Sequence, residues 1–439
     1  MTQPTPSDPR DPVVILGGGL TGISAAYHLR RPWLLLEKES RLGGHARTDV
    51  TDGFHFDKTG HWLHLRDPYA KKLIGELLPG KMVQVARKAR VFSNGVLTRY
   101  PFQGNLHGLP PQVASECLLG YLKTQMSPST EAPRNFEHFC LQKFGEGIAK
   151  HFMIPYNHKL WGVHPREITA EWCSRFVPIP KLDDVVKGAL GDVPPEIGYN
   201  VSFLYPEEGG IETMTRALAD GIDQSRGRIA LSSQPESIDV AARTMVVGGE
   251  TVRWSAMVAS IPMPELIKRM VGVPREVEEA AARLRCTAVR YLNVATKRSP
   301  SADFHWIYVP EEKYPFYRVG IYTNAVPKMA PPGRGSLYVE LSDRGPMPKL
   351  DAILPDVADA LAAAKAIDSR DDVLFAELKE LKYAYVVFDD HYYKSVATIT
   401  AWLEGNHIYP RGRYGSWTYN AMEDCILAGR EVAEKLSAS

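Results

Sequence analysis

The chain has 439 residues, 44% hydrophobic and 23% charged, which is the balance of a globular protein with more than one core's worth of apolar side chains. Its 52 basic and 51 acidic residues leave a formal net charge of +1, too little field to favour a nucleic-acid or anionic-membrane partner. No apolar run reaches the roughly 18 residues of a membrane span, and MTQPTPSDPRDP lacks the charged and apolar regions of a signal peptide. Five scattered cysteines, Cys117, Cys140, Cys173, Cys286 and Cys425, have no CxxC spacing. They predict neither a disulfide framework nor a metal site, and a reducing cytoplasm suits them.

In chain order, VVILGGGLTGISAAYHLRRPWLLLEKESRLGG reads as strand, glycine turn, Ala-rich helix and second strand, a βαβ unit. Residues 67–78 predict a helix, and 88–99 a hairpin turning at Asn94-Gly95. Residues 110–195 carry mostly helical patterns, with proline joints at PYN and PIPKL. Short strands return over 228–262, and a second strand-rich stretch spans 286–345. A helix follows over 354–366, and GRYGSWTYNAMEDCILAGREVAEKL passes from a glycine turn into an amphipathic helix.

The first glycine cluster fits G-x-G-x-x-G as Gly17, Gly19 and Gly22, after a strand and opening a helix. Gly17 permits the tight turn, Gly19 lets a pyrophosphate approach the backbone, and Gly22 allows close helix–strand packing. A plain helix start can also use such glycines. Glu37, at the end of the second strand, is placed to accept hydrogen bonds from a ribose diol. ExxxRxGG follows as Glu37, Arg41, Gly43 and Gly44, with Arg47 and Thr48 beyond, and resembles the extended FAD fingerprint of the amine oxidase and glutathione reductase group of flavoproteins.

Five further stretches extend the resemblance: FDKTGHWLH at 56–64, RYPFQGN at 99–105, PYNHKLWGV at 155–163, WIYVPEEKYPFYR at 306–318 and GRYGSWTY at 412–419. In this order they resemble the motifs of UDP-galactopyranose mutases, particularly the eukaryotic type, over nearly the whole chain. The resemblance implies an α/β fold with a discontinuous Rossmann-type FAD-binding domain over 12–98, 203–270 and 405–437. It adds a mainly helical substrate or lid insertion over 99–202 and an antiparallel-sheet substrate domain over 271–404. The implied reaction interconverts pyranose and furanose forms of a UDP-sugar, with N5 of reduced FAD attacking the anomeric carbon. No second dinucleotide fingerprint is present, so an NAD(P)H reductant would bind transiently in the substrate cleft. The sequence assigns no oligomeric state.

The site residues are carried over motif by motif. Arg318 and Arg413 match the family's diphosphate-binding arginines, whose planar forks suit phosphate oxygens. Tyr100, Phe102, Gln103, Asn157 and Trp161 match the positions that sandwich and hydrogen-bond uracil, and Tyr392 and Tyr419 match diphosphate-binding tyrosines. Trp306 and Tyr308, with Phe316, Tyr317 and Tyr392, are expected to exclude water around the arginines. Gly412 and Gly415 resemble a turn beside the FAD pyrophosphate, and Met422 and Glu423 begin the last helix near the flavin. Gly60 is expected to pass its backbone against the flavin where any side chain would take the sugar's place. His61 matches the family histidine beside the ring.

The chain departs from the pattern at the sugar end. The family arginine four residues after a tryptophan is displaced: Arg175 follows Trp172 by three and is kept only as a candidate. Ala421 and Glu423 stand where bacterial-type members tend to have aspartates, and Tyr393 replaces the proline after the motif tyrosine. An FAD-dependent oxidase or desaturase of the amine oxidase type, and a catalytically silent nucleotide-sugar-binding homologue, stay open beside the mutase.

Overall fold

The computed structural model describes residues 11–172, 177–192, 201–342 and 345–438. A five-stranded parallel sheet forms in the order Ile408–Pro410, Ala256–Ala259, Val13–Leu16, Trp33–Leu36, Gly227–Ala230. Its three central strands, AMVA, VVIL and WLLL, are buried at every residue, the pattern of a sheet covered on both faces. The first helix, Leu20–His28, packs against the last, Met422–Ala438: the Ser24 hydroxyl donates to the Ile426 carbonyl at 2.6 Å. Chain ends far apart in sequence thus build one nucleotide-binding layer.

A seven-stranded sheet runs in the order Val373–Val386, Cys286–Thr296, Gly335–Leu341, Phe316–Ile321, Trp306–Tyr308, Ala89–Ser93, Val96–Arg99. Neighbours are antiparallel except Trp306–Tyr308 and Ala89–Ser93, which are parallel. The hairpin turns at Asn94 and Gly95, with φ of 52° and 77°, the left-handed pair a two-residue turn needs. Because both its strands join this sheet, the boundary expected at residue 98 cuts the strand Val96–Arg99.

The insertion holds the helices Pro111–Met126, Phe136–Ile148, Ile154–Trp161 and Leu182–Leu190. The joint expected at PYN is a change of helix type, not a gap in the chain of helical turns. Pro155 falls where a wider π-helical turn, Ala149–Met153, gives way to Ile154–Trp161, and its missing N–H is tolerated in a first turn. The helix expected over 354–366 runs from Leu350 to Ala363 with Pro355 inside it. Among the described residues no helix is long and apolar enough to cross a membrane. Arg175 lies outside the described residues.

Candidate functional site

The strand Val13–Leu16 runs into a turn of bare backbone. Gly17 has φ of 98°, a conformation that favours glycine, and a Cβ on Gly22 would lie 1.9 Å from the Gly17 carbonyl oxygen. Helix Leu20–His28 starts at Gly19 without a side-chain cap, so N–H groups at its positive end point outward. A second glycine turn leans on the first: Gly43 donates its N–H to the Gly18 carbonyl at 2.7 Å, and a Cβ on Gly44 would sit 3.0 Å from the Gly19 Cα. The turn Gly412–Gly415 closes another side, with Gly412 against Thr21 and Gly415 against the Ala259 carbonyl. Met422, half-buried, opens the last helix beyond it.

Arg47 sits against this cradle, 7% exposed, with a buried Nε that has no hydrogen-bond partner among the described residues. Such an orphaned donor beside an uncapped helix start and facing glycine turns fits the pyrophosphate of FAD. Glu37 lies at the end of its strand, its Oε2 accepting from the Gly18 N–H at 2.6 Å and its Oε1 from the Glu39 N–H at 2.9 Å. These bonds fix the carboxylate and leave lone pairs for ribose hydroxyls. Arg41 is engaged otherwise. It pairs with Asp49 and, at 3.0 Å, with Glu212, tying two segments together.

The loop after the strand Phe54–Asp57 carries Gly60 and His61. Asp57, fully buried, accepts from Thr48, Tyr205 and the Ile211 N–H; burial pushes its carboxyl up to about 7, against those three donors. The Tyr322 hydroxyl donates to the carbonyls of both Asp57 and Thr59, at 3.0 and 2.9 Å. Gly60 is closed to a side chain by the protein itself: a Cβ there would lie 2.3 Å from the Tyr338 hydroxyl oxygen. His61 is half-buried, with Nδ1 3.4 Å from the Thr59 carbonyl. Burial pushes its pKa down to about 4, the Thr59 contact opposes this, and Arg413 and Arg318 push it further down. It is a neutral imidazole at pH 7. His45 is likewise held low by burial and then by His61, and its Nδ1 lies 3.0 Å from the Tyr414 hydroxyl.

Arg318 and Arg413 converge on the same side chain, Tyr385. Arg318 donates from its terminal nitrogen to the Tyr385 hydroxyl at 3.0 Å, and the Arg413 guanidinium lies 5.5 Å from the Tyr385 ring centre. Arg318 also makes a bidentate pair with Glu340, at 2.6 and 2.7 Å, and Glu340 is 1% exposed. Burial works against the Arg318 charge, but Glu340, followed by Tyr385, holds its pKa well above the ordinary value. Among the described residues Arg413 has no carboxylate as a hydrogen-bond partner: it donates to the carbonyls of Ala384 (2.8 Å) and Asn420 (2.9 Å) and stacks on Tyr419 at 4.5 Å. Tyr419 in turn stacks on Tyr385, their planes 11° apart. Burial raises the pKa of Tyr385, so it stands as a neutral donor. Tyr100 and Tyr308 pack at 4.8 Å and Tyr308 on Tyr156 at 5.3 Å, extending the wall from Arg318.

Other expected residues are absorbed by the core. Phe102 is fully buried, stacked on Phe152 at 5.0 Å. Trp161, 2% exposed, packs edge-on to Trp172 and Tyr385, and Trp306 stacks on Trp62. The Asn157 amide is spent within its helix, donating to the Met153 carbonyl and accepting from the Trp161 indole. The Tyr392 hydroxyl donates to the Trp417 carbonyl at 2.7 Å, and its ring packs on Phe388, so it is a core tyrosine in this arrangement. Gln103, 1% exposed, is divided: its amide nitrogen donates to the Pro178 carbonyl at 2.8 Å while its buried oxygen has no partner among the described residues. Sequence reasoning missed Tyr385, Glu340, Tyr156 and Tyr338. Only Tyr156 lay inside a quoted motif; the others carry no local signal beyond strand alternation.

The described geometry agrees with what the chain is similar to. A solved structure of a reduced UDP-galactopyranose mutase superposes with a TM-score of 0.91 at 25% identity, covering 100% of this chain and 94% of that one. Putrescine oxidase bound to putrescine superposes at 0.68 with 16% identity, covering 98% and 99%, a likeness of fold. Among curated proteins, a probable flavin-containing monoamine oxidase A of Dictyostelium discoideum is 33% identical over 108 residues, 22% of this chain and 24% of that protein. Pseudooxynicotine dehydrogenase of a Pseudomonas species is 41% identical over 58 residues, 12% of each. The chain therefore matches a quarter or less of these curated relatives' length. The model of the flavin containing amine oxidoreductases matches residues 20–437, a family that implies FAD, and the chain belongs to that family.

Proposed function

We propose that the protein is a flavin-dependent nucleotide-sugar mutase that interconverts the pyranose and furanose forms of a UDP-sugar, UDP-galactose first. The observation that carries this reading is the convergence of Arg318 and Arg413 on Tyr385, beside the neutral His61. Two guanidiniums and neutral tyrosine hydroxyls form a wall for a diphosphate, whereas an amine substrate would meet repulsion there. The likeness to a UDP-galactopyranose mutase over the full chain supports the same reading.

Reduced FAD, when bound, supplies the nucleophilic nitrogen that exchanges with UDP at the anomeric carbon. The chain's own residues bind and orient. Arg413, held by carbonyls and aromatic rings, offers its charge to a phosphate, and Arg318 is fixed in direction by Glu340. Tyr385 and Tyr419 donate hydroxyls to the departing diphosphate. Tyr100 and Tyr308 offer faces for the base, with Gln103 Oε1 as the unspent acceptor for its N–H. The Gly60 and Thr59 carbonyls belong to the loop that would face the flavin, where either could accept a hydrogen bond from the ring's N–H. NAD(P)H is the proposed reductant, checked by anaerobic bleaching of the flavin at 450 nm on NADPH addition.

The test is an anaerobic assay of dithionite-reduced protein with UDP-galactopyranose, read by chromatography. Conversion is expected only with reduced flavin; equal rates with oxidised flavin overturn the mutase. The oxidase and dehydrogenase names of the sequence relatives favour a second reading, an FAD-dependent oxidase. Substrate-dependent bleaching with peroxide release in air would select it. Tight UDP binding with no exchange would select a silent binding protein.

A further inference from the structure

Lys159 lies on the helix Ile154–Trp161 with 6% exposure, buried where a lysine is seldom found. Its ammonium donates to four backbone carbonyls, those of Val309 (3.1 Å), Glu311 (2.8 Å), Tyr314 (3.0 Å) and Phe316 (2.7 Å). Val309, Glu311 and Tyr314 lie in the connection between the strands Trp306–Tyr308 and Phe316–Ile321, and Phe316 opens the second of them. Converging carbonyl oxygens repel one another, so a positive charge at the centre holds this turn closed; burial lowers the Lys159 pKa to about 7, and Glu311 and Glu312 oppose that shift. An ammonium suits that position: it is a compact point charge whose three protons can be shared among four acceptors, which a planar guanidinium cannot match.

What the turn carries makes the arrangement matter. Tyr308 and Arg318 are direct partners across the two strands it joins, so the turn sets their register at the wall. On the same helix, Asn157 holds the Trp161 indole at 3.2 Å, and Trp161 packs against Tyr385. The helix therefore touches Tyr385 through Trp161, Tyr308 through Tyr156, and the turn that joins the Tyr308 and Arg318 strands through Lys159.

We propose that Lys159 is a positioning residue whose buried ammonium fastens the Val309–Phe316 turn to the helix Ile154–Trp161 and so fixes Tyr308 and Arg318 for anion binding. The fastening itself stands on the geometry alone. The ligand named in its test, UDP, rests on the proposed function.

The experiment compares the FAD-loaded parent with Lys159→Met, which keeps the length and removes the charge, and with Lys159→Ala. Two readouts are taken: backbone amide exchange over residues 306–318, and UDP affinity by titration. In Lys159→Met, exchange in this segment is expected to accelerate and UDP to bind about tenfold more weakly, while FAD affinity is retained. In Lys159→Ala, whose emptied carbonyl cage fits a small cation, ammonium chloride is expected to restore both readouts. Tetramethylammonium chloride at equal ionic strength is expected not to. Unchanged exchange in Lys159→Met overturns the proposal, as does an ammonium effect no larger than that of tetramethylammonium. If the parent itself fails to bind UDP, the mutase reading falls, and the exchange measurement still decides Lys159. Should Lys159→Met not fold, refolding of Lys159→Ala decides: recovery in ammonium alone supports the fastening, and equal yields in both salts overturn it.

Discussion

The cofactor cradle and the anion wall are built from different materials. In the cradle, Gly17, Gly22, Gly43 and Gly44 act through bare backbone, and each lies within a few residues of a strand end that positions it. In the wall, Arg318, Tyr385, Arg413 and Tyr419 act through side chains drawn from three separate segments. A backbone site is specified locally, because the absence of a side chain is itself the chemistry. A side-chain site exists only after distant strands register, and neighbours such as Tyr392 that share its sequence character end in the core.

The largest expected effect tests the cradle. Gly22→Val puts a branched side chain where even a Cβ would lie 1.9 Å from the Gly17 carbonyl oxygen. Flavin binding should weaken by at least about 100-fold, ~2.7 kcal/mol, read by titration of apoprotein with FAD. Retained yellow colour and unaltered affinity would break the backbone account.

Next comes the buried pair of the wall. Arg318→Ala leaves Glu340, 1% exposed, without its cation, and should lower stability by about 3–5 kcal/mol in denaturant unfolding while sharply weakening UDP binding. Arg413→Ala should weaken UDP binding comparably yet cost far less stability, since only carbonyls lose a donor. Equal stability losses in the two variants would erase the distinction between fixed and available arginines.

Acid exposes a property that crosses both regions. His61, His64 and His305 each have a folded-state pKa pushed down by burial to about 4, against an ordinary 6.5. The unfolded chain takes up their protons first, so their contribution to stability is complete above pH 6.5 and is lost as pH falls toward 4. The melting temperature of the parent should fall across that window, and His61→Gln should flatten part of the slope.

The smallest effect marks the edge of the wall. Tyr392→Phe removes one hydrogen bond to the Trp417 carbonyl, worth about 1 kcal/mol, and should leave UDP affinity unchanged. A loss as large as that of Arg413→Ala would return Tyr392 to the site.

The sequence by itself determined the flavoprotein layer and the Asn94-Gly95 hairpin of the other sheet: the two glycine turns, Glu37, that hairpin and the final helix all rest on local backbone preferences that a short stretch encodes. It also marked Arg318, Arg413, Tyr100, Tyr308 and Tyr419 through their motifs. Only the tertiary structure decided that Phe102, Trp161 and Tyr392 are core, that Arg41 is spent on Asp49 and Glu212, and that Tyr338 is what forbids a side chain at Gly60. It alone brought Tyr385, Glu340 and Lys159 into the argument. An aromatic ring or a charged group has the same local preferences in a cleft as in a core; which one it occupies depends on the strand and helix that pack against it from elsewhere in the chain.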